Sequence, residues 1–241
     1  MEITEDGILN GKIKLFQPAK GYRAAIDPII LAGFVHLEPR LRILDVGCGV
    51  GTISLILKSL ENTAGITAVD MDAEMCELCL RNSVANHLDL EIIHGKIEDL
   101  ESDSPLKGRF FDRVVTNPPF FKSQSSRISD SKRLANFETI GLADWIASCL
   151  KRLKNKGILS MIHRADRAGD VVSAMNDVGS VEIIPIFSKR GREADRVVIN
   201  CCKNYGSGTK ISPGLVVHND DGSYSEEVGK ILAGNFGKST G

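Results

Sequence analysis

The chain lacks the long apolar segments of a membrane protein. It has 241 residues, of which 42% are hydrophobic and 25% charged, as in an ordinary globular protein. No apolar run approaches the roughly 20 residues that are needed to span a bilayer. The first six residues, Met1-Glu2-Ile3-Thr4-Glu5-Asp6, are acidic, whereas a signal peptide begins with basic residues and continues with an apolar stretch. We therefore expect a cytoplasmic protein with no membrane partner.

A second cysteine pair at zinc-binding spacing is also missing. Cys76 and Cys79 form a single C-x-x-C, but it lies within a helical pattern from Ala73 to His87, and a structural zinc site needs four ligands. The six cysteines are better interpreted as small buried apolar side chains. We predict no metal site.

The chain has almost no net charge, but its two halves differ in sign. The net charge is −1 overall, with −6 over residues 1–120 and +5 over residues 121–241. This balance excludes strong, indiscriminate nucleic-acid binding. The basic second half still favours local contact with a polyanion.

A rigid polar corner follows one apolar segment. Residues 110–116 form an apolar run that ends at Asn117-Pro118-Pro119-Phe120. Proline donates no N–H and fixes φ, so the strand cannot continue. The corner offers carbonyl oxygens for the two hydrogens of a planar amino group and an aromatic ring for stacking. The alternative is a proline-rich turn in which Asn117 closes the turn and Phe120 lies in the core.

A glycine loop follows an earlier apolar segment. Residues 41–46 are predicted to form a buried strand, and Gly47-Cys48-Gly49-Val50-Gly51 leads from it into a helix. Such a loop lets the backbone approach a ligand and directs helix amides at an anion. The spacing G-x-G-x-G differs from the dinucleotide fingerprint G-x-G-x-x-G. A carboxylate is therefore a suitable anion, and Asp45 is a candidate partner for an ammonium group.

A second acid follows the next predicted strand. Residues 65–69 are apolar and end at Asp70, where a carboxylate can bind ribose hydroxyls. An amino-acid head together with a ribose describes S-adenosylmethionine. The alternative for Asp70 is a helix cap, although Asp72 is better placed for that role.

Strands and helices alternate through the centre of the chain, which predicts a parallel sheet covered on both faces. An Asn-Gly pair predicts a hairpin over residues 8–16, and Asp27-Pro28 is predicted to cap and open a helix that continues to Val35. The predicted strands are 41–46, 66–70, 90–94, 111–117, 157–163, 181–187 and 194–202, and the predicted helices are 51–60, 73–87, 142–153 and 167–177.

The two motifs, in this order, resemble those of class I methyltransferases. Residues 45–51 match the first motif of that class, and residues 117–120 match the motif of enzymes that methylate amino groups. The resemblance implies a Rossmann-like α/β fold, with a seven-stranded, mostly parallel sheet whose last strand is antiparallel, helices on both faces and an N-terminal hairpin extension. We expect one domain over residues 1–241, divided into an N-terminal extension (1–38), a core (39–203) and a C-terminal extension (204–241).

The flanking segments resemble a narrower family, the bacterial tRNA(Val) adenine N6-methyltransferases. These segments are residues 16–27 and 215–227. The resemblance implies S-adenosylmethionine as cofactor, tRNA as partner and methylation of the adenosine beside the anticodon. We expect a monomer or a weak homodimer.

The resemblance also implies functional residues. One departure concerns adenine recognition, because Lys96 stands where many relatives carry an acid, and Ile97 and Glu98 are the candidates to replace it. The predicted catalytic residues are Asn117, Pro118, Pro119 and Phe120. The predicted cofactor-binding residues are Asp45, Gly47, Cys48, Gly49, Gly51, Asp70, Met71, Ile97, Glu98 and Asn117. The candidate substrate-binding residues are Tyr22, Arg23, Lys122, Arg127, Lys132, Arg133, Arg190 and Arg192.

Several alternatives remain open at this point. Related enzymes with the same tetrapeptide methylate guanine N2 in ribosomal RNA, adenine in DNA or a glutamine of a protein. A nonenzymatic RNA-binding module that keeps the glycine loop only as part of its fold is the alternative of another class. Tyr22 and Arg23 have hairpin packing as their alternative role. The Ser-rich, basic segment 121–136 is interpreted either as a substrate clamp or as a surface loop.

Overall fold

The computed structural model describes residues 2–20, 23, 25–98, 105–118, 140–175 and 178–236. It begins with an antiparallel hairpin of β1 (Ile3–Ile8) and β2 (Ile13–Pro18). In the turn, Asn10 and Gly11 have φ values of 56° and 78°. Positive φ at both central residues is what a type I′ turn requires. The predicted hairpin is confirmed.

Helix α1 (Ile26–Gly33) begins two residues earlier than predicted. Ala25 occupies the cap position, without a side-chain hydrogen bond, and Asp27 lies inside the first turn. The prediction that Asp27 caps this helix is therefore wrong. Its carboxylate accepts a hydrogen bond from Arg196 Nε at 3.1 Å, and a negative charge is favourable at this end of a helix. The predicted continuation to Val35 is also too long by two residues.

The central sheet contains all seven predicted strands. They are β3 (Arg42–Val46), β4 (Gly65–Asp70), β5 (Glu91–His94), β6 (Phe111–Thr116), β7 (Leu153–Arg164), β8 (Gly179–Lys189) and β9 (Ala194–Lys203). Their order across the sheet is β5-β4-β3-β6-β7-β9-β8. Neighbouring strands from β5 to β7 are parallel, and β9 is antiparallel to both of its neighbours. The carboxyl ends of the parallel strands therefore meet at one edge, here called the carboxyl edge.

Helices cover both faces of this sheet. They are α2 (Thr52–Leu60), α3 (Ala73–Ala85), α4 (Leu142–Lys151) and α5 (Ala168–Ala174). Adjacent strand residues point to opposite faces, and they divide between two apolar clusters. Ile43 packs with α2 and α3, whereas Leu44 packs with α4 and α5. The predicted two-faced α/β architecture is confirmed.

The C-terminal extension adds two strands that were not predicted. Both β10 (Thr209–Ile211) and β11 (Leu215–His218) pair in parallel with β8, which gives nine strands in the sheet over the described residues. Helix α6 (Glu226–Leu232) follows, with Ser225 as its cap. None of the helices in the described ranges is long and apolar enough to cross a membrane, and those ranges hold no group of three or more metal-ligating side chains.

Candidate active site at the carboxyl edge

The glycine loop joins β3 to α2 at the carboxyl edge. Gly47, Gly49 and Gly51 have φ values of 72°, 56° and 87°, in the left-handed region that favours glycine. The backbone amides of Gly47 and Cys48 both donate to Val69 O, at 2.9 and 3.0 Å. The loop is therefore fastened to the end of β4 and holds a fixed shape.

Close packing of α3 against the loop explains the third glycine. A Cβ atom on Gly51 would lie 2.5 Å from Cys79 Sγ, far inside contact distance. The thiol of Cys48 is also buried, and its hydrogen bond with Cys79 and its burial raise its pKa well above the usual range. All six cysteines are free, and all except the half-buried Cys202 are buried, as predicted.

Asp70 joins the loop to the start of α3. Its side chain is 4% exposed, and its two carboxylate oxygens accept hydrogen bonds from the Gly49 and Asp72 amides, at 2.8 and 2.9 Å. Asp72 in turn caps α3, because its Oδ1 accepts from Glu74 N at 3.0 Å. The sequence correctly placed the cap at Asp72, and Asp70 lies where the loop and the cap meet.

A solvent-open cleft of about 350 Å³ lies beside the loop. Its walls come from the ends of β3, β4 and β5, and from α4 and the residue before its cap. Five of the predicted cofactor-binding residues line it together: Gly47, Asp70, Met71, Ile97 and Glu98. The other described lining residues are Val46, Val69, Gly95, Lys96, Ile140 and Trp145.

Trp145 is one of the lining residues that the sequence did not indicate. A Cβ on Gly47 would lie 3.4 Å from its Cη2 and Cζ2 atoms, so the indole covers the loop closely. Its Nε1 donates to Thr116 Oγ1 at 3.2 Å, and that hydroxyl donates to Val46 O at 2.8 Å. Trp145 is the only tryptophan of the chain, but its helical spacing with Ile146 and Cys149 also fits an ordinary core residue.

Asn117 lies at the same edge as the glycine loop. Thr116 is paired with Val46 in the parallel ladder between β6 and β3, so Asn117 and Gly47 are the next residues of two neighbouring strands. Asn117 is half-buried and Pro118 is buried. The glycine loop and the described part of the proline-rich corner therefore lie at the same end of the sheet. Pro119 and Phe120 lie outside the described residues.

The Asp45 carboxylate points under the loop. It is fully buried, and its Oδ2 accepts from Ser54 N and Oγ, at 3.2 and 2.7 Å. Among the residues that the structure describes, its Oδ1 has no hydrogen-bond partner. Burial raises the pKa of Asp45 to about 7, although the bonds from Ser54 oppose this. Asp45 is not among the described residues that line the cleft, and its contact with an ammonium group remains a prediction.

A buried amide on α3 supports the loop from behind. Asn82 is fully buried, and its Nδ2 donates to Val50 O at 2.9 Å and to Phe16 O at 3.0 Å. Its Oδ1 accepts from Phe16 N at 2.7 Å. One turn later, the half-buried Asn86 makes the matching pair of bonds with the Lys14 backbone. Asn82 therefore connects the glycine loop with the N-terminal hairpin, which no sequence motif indicated.

The departure at Lys96 falls on the rim of the cleft. Lys96 and Glu98 are exposed there, while Ile97 is 4% exposed and lines the wall. The turn is held by the Gly95 amide, which donates to Asp70 O at 2.9 Å. An apolar side chain and a carboxylate are thus both present where the sequence analysis expected the cofactor's adenine.

The candidate substrate-binding residues fall into separate places. Arg23 donates to Asp6 of the hairpin at 2.8 Å, a contact that fits hairpin packing. Arg190 and Arg192 are exposed in the turn between β8 and β9, which also lies at the carboxyl edge. The segment 121–136 and the remaining candidates lie outside the described residues: Tyr22, Lys122, Arg127, Lys132 and Arg133.

Comparison with known proteins identifies the family. A model of the methyltransferase small domain family matches residues 29–178. A tRNA1(Val) (adenine(37)-N6)-methyltransferase of Aeromonas hydrophila is 26% identical over 85% of this chain and 86% of its own length. A protein of the same name from Shewanella baltica is 24% identical over 88% of this chain and 91% of its own length. The family resemblance inferred from the motifs is confirmed.

A solved structure supports the fold independently. A chain from Agrobacterium tumefaciens described as a predicted O-methyltransferase superimposes with a TM-score of 0.69, over 87% of this chain and 96% of its own. The two sequences are 23% identical, so the likeness concerns the fold alone.

Proposed function

Because this chain belongs to the methyltransferase small domain family and is an S-adenosylmethionine-dependent methyltransferase, we propose that it methylates N6 of an adenosine in tRNA. The target is the adenosine beside the anticodon of tRNA(Val), in the cytoplasm. Two relatives whose names state this activity align over most of their length. The basic second half of the chain supports a polyanionic substrate.

One observation carries the proposal: Asn117 and Gly47 directly follow the paired residues Thr116 and Val46. Neighbouring strands of a sheet lie about 4.8 Å apart, so a ligand beside the glycine loop is within reach of the Asn117 side chain. An amide next to a proline-rich corner at this place suits an exocyclic amine.

The residues of the cleft suit S-adenosylmethionine. The helix start after Gly51 is favourable for the cofactor's carboxylate, and the Asp70 carboxylate lies where the ribose hydroxyls are expected. Met71, Ile97 and Trp145 provide apolar surface for the adenine and the methionine side chain.

The protein contributes position and electrostatics to the transfer. The sulfonium of the cofactor supplies an activated methyl group. The carboxamide oxygen of Asn117 and the carbonyl of Pro118 accept the two N6 hydrogens and thereby direct the nitrogen lone pair at the methyl carbon. Phe120 stacks on the adenine after it has left its base stack. No base is needed before the transfer, because the proton can leave afterwards.

Alignment of the two reactants accounts for several kcal/mol of the barrier, and about 7–11 kcal/mol is the limit for well-oriented reactants. The structure offers a physical source for this alignment. Thr116, Val46 and Trp145 form one buried hydrogen-bonded network behind the two motifs. That network limits the movement of Asn117 and Gly47, which directly follow Thr116 and Val46.

The test is incubation of the protein with total tRNA and methyl-labelled cofactor, followed by nucleoside analysis of the product. We expect labelled N6-methyladenosine, located in tRNA(Val). Label in guanine N2, in DNA or in a protein glutamine would contradict the proposal and favour the corresponding alternative. A parallel reaction with tRNA that already carries the modification should give no incorporation.

A further inference from the structure

A cationic surface lies at the end of the sheet opposite to the cleft. It consists of Arg42, Phe110, Lys154, Lys156, Lys203 and Tyr205, and we call it the amino-edge patch. Arg42, Phe110, Lys154 and Lys203 line one shallow depression of about 740 Å³. Lys156 adjoins it through its neighbour Asn155, which also lines the depression. The topology explains this grouping, since β3, β6 and β7 begin at this edge and the antiparallel β9 ends here.

The patch has more positive than negative charge. Two carboxylates lie near these residues. Asp112 Oδ1 pairs with Lys154 Nζ at 2.7 Å, and Glu91 pairs with Arg109 and also interacts electrostatically with Arg42. Within the described residues, Arg42 and Lys156 have no ion pair. Their cationic groups lie instead 5.5 Å from the Phe111 ring centre and 5.4 Å from the Tyr205 ring centre. Two exposed cations thus remain for an anion from outside.

Two aromatic side chains stand among these cations. Phe110 is 48% exposed and Tyr205 is 58% exposed. Cations interleaved with exposed aromatic rings are typical of surfaces that bind nucleic acid, because the cations bind phosphates and the rings stack on unpaired bases.

We propose that the amino-edge patch is a second RNA-binding surface, which holds a part of the substrate remote from the methylated base. The proposal rests on the proposed function, since the RNA is the substrate of the cleft. Strand β3 has five residues and so separates the two surfaces by about 15 Å. Only an RNA that extends well beyond the target nucleotide reaches both.

The experiment compares two substrates in one assay. The first is full-length tRNA(Val) transcript, and the second is an isolated anticodon hairpin that carries the same target adenosine. The test variant is Arg42→Ala with Lys156→Ala. These two substitutions keep Lys154, which is paired with Asp112. They also keep Lys203, whose ammonium donates to the carbonyls of Leu150 in α4 and Leu153 in β7. The charge-matched control is Lys14→Ala with Lys230→Ala, two exposed lysines on the hairpin and on α6.

We expect the test variant to raise KM several-fold for the full-length tRNA and by a smaller factor for the hairpin, because fewer of the hairpin's phosphates reach the patch. The slope of log affinity against log salt should fall by about 2 for the full-length tRNA. The value of kcat and the cofactor affinity measured by calorimetry should not change. The control variant should behave as the wild type.

An equal KM for the full-length tRNA in the test variant and the wild type would overturn the proposal. A KM change of equal size for both substrates would do so too, because it would indicate an effect on the cleft. If the wild type methylates no tRNA, the proposed function is wrong. Filter binding of full-length tRNA then tests RNA binding by the amino-edge patch independently of catalysis. Weaker binding by the test variant supports it, and unchanged binding overturns it.

Discussion

The two ends of the central sheet hold their polar groups in opposite ways. At the carboxyl edge, Asp70 and Asn82 are buried and are each fixed by several hydrogen bonds. At the amino edge, Arg42 and Lys156 are exposed, and each lies over one aromatic ring. Buried, multiply bonded groups define a geometry, whereas exposed charges act over a distance and are screened by salt. We therefore expect substitutions at the first edge to change catalysis and stability, and those at the second to change RNA affinity.

The largest expected effect is the loss of catalysis at the carboxyl edge. Asn117→Ala removes the acceptor for one N6 hydrogen, and we expect kcat to fall about 10²–10³-fold or more. Cofactor affinity should stay nearly unchanged by calorimetry. Asn62→Ala removes an exposed amide from the loop before β4 and serves as control. Full activity of the Asn117 variant would refute the catalytic assignment and the contrast between the edges.

The next largest effect is a loss of stability, which we compare between two asparagines of α3 and its C-cap, Asn82 and Asn86. Asn82→Ala leaves buried backbone groups of Val50 and Phe16 without partners, so we expect a loss of about 2–3 kcal/mol in the free energy of unfolding. We also expect weaker cofactor binding, because the glycine loop loses its support. Asn86→Ala removes the matching bonds to Lys14 where water can replace them, and should cost less than about 1 kcal/mol.

Urea unfolding and calorimetric cofactor titration measure these two quantities. Equal losses of cofactor affinity in the Asn82 and Asn86 variants would mean that the hairpin as a whole, and not the bond to Val50, supports the loop.

A smaller effect is expected from crowding at the third glycine. Gly51→Ala brings a Cβ to 2.5 Å from Cys79 Sγ at a residue with φ of 87°, and should destabilise the protein by about 1–3 kcal/mol. Adding Cys79→Ala removes the sulfur and should restore part of that loss, leaving the backbone strain. Thermal unfolding of the two single variants and the double variant gives the coupling energy. An additive double variant would contradict the close contact.

The smallest expected difference in stability is the one between the wild type and Asp45→Asn, and its sign depends on pH. Its pKa is raised to about 7 in the folded protein from 3.8, so between these values the unfolded state loses the proton first and stability falls as pH rises. This difference corresponds to about 4 kcal/mol over the window. Asp45→Asn does not titrate, but its amide leaves an unpartnered donor that costs about 1–3 kcal/mol.

We therefore expect Asp45→Asn to be less stable than the wild type at pH 4 and more stable at pH 8, by about 1 kcal/mol or more. Chemical unfolding at a series of pH values measures the crossing. Parallel stability curves for the two proteins would show that Asp45 does not titrate in this window.

The central fold was predicted well from the sequence, because the apolar periodicity of its strands and helices agrees with the residues that end or cap them. Apolar strands such as 41–46 end in glycine or acidic residues, and Asp72 indicates the start of α3 as its cap. The prediction that β7 begins at residue 157 was wrong for a local reason. Residues 154–157, Lys-Asn-Lys-Gly, have the composition of a turn, but they form an irregular part of the strand where the register against β6 shifts, and Lys156 has a φ of 63°.

The strand β10 and the supports of the site could not be predicted, whereas β11 (Leu215–His218) is an apolar run with alternating burial that was overlooked. Thr209–Ile211 is exposed throughout, so it has no apolar alternation to reveal it. The positions of Trp145 and Asn82 depend on which elements pack against the glycine loop, and the periodicity of a single helix contains no such information. Asp27 was predicted to be a cap because Asp-Pro usually begins a helix. Its carboxylate instead accepts a hydrogen bond from Arg196 of β9, a long-range contact that the local sequence does not reveal.

The position of Trp145 has a practical consequence. Because the only indole of the chain covers Gly47 at the wall of the cleft, its intrinsic fluorescence is a direct optical signal for that wall. A ligand entering there changes the surroundings of the fluorophore without any label. Cofactor binding can thus be followed by stopped-flow spectroscopy in the unmodified protein.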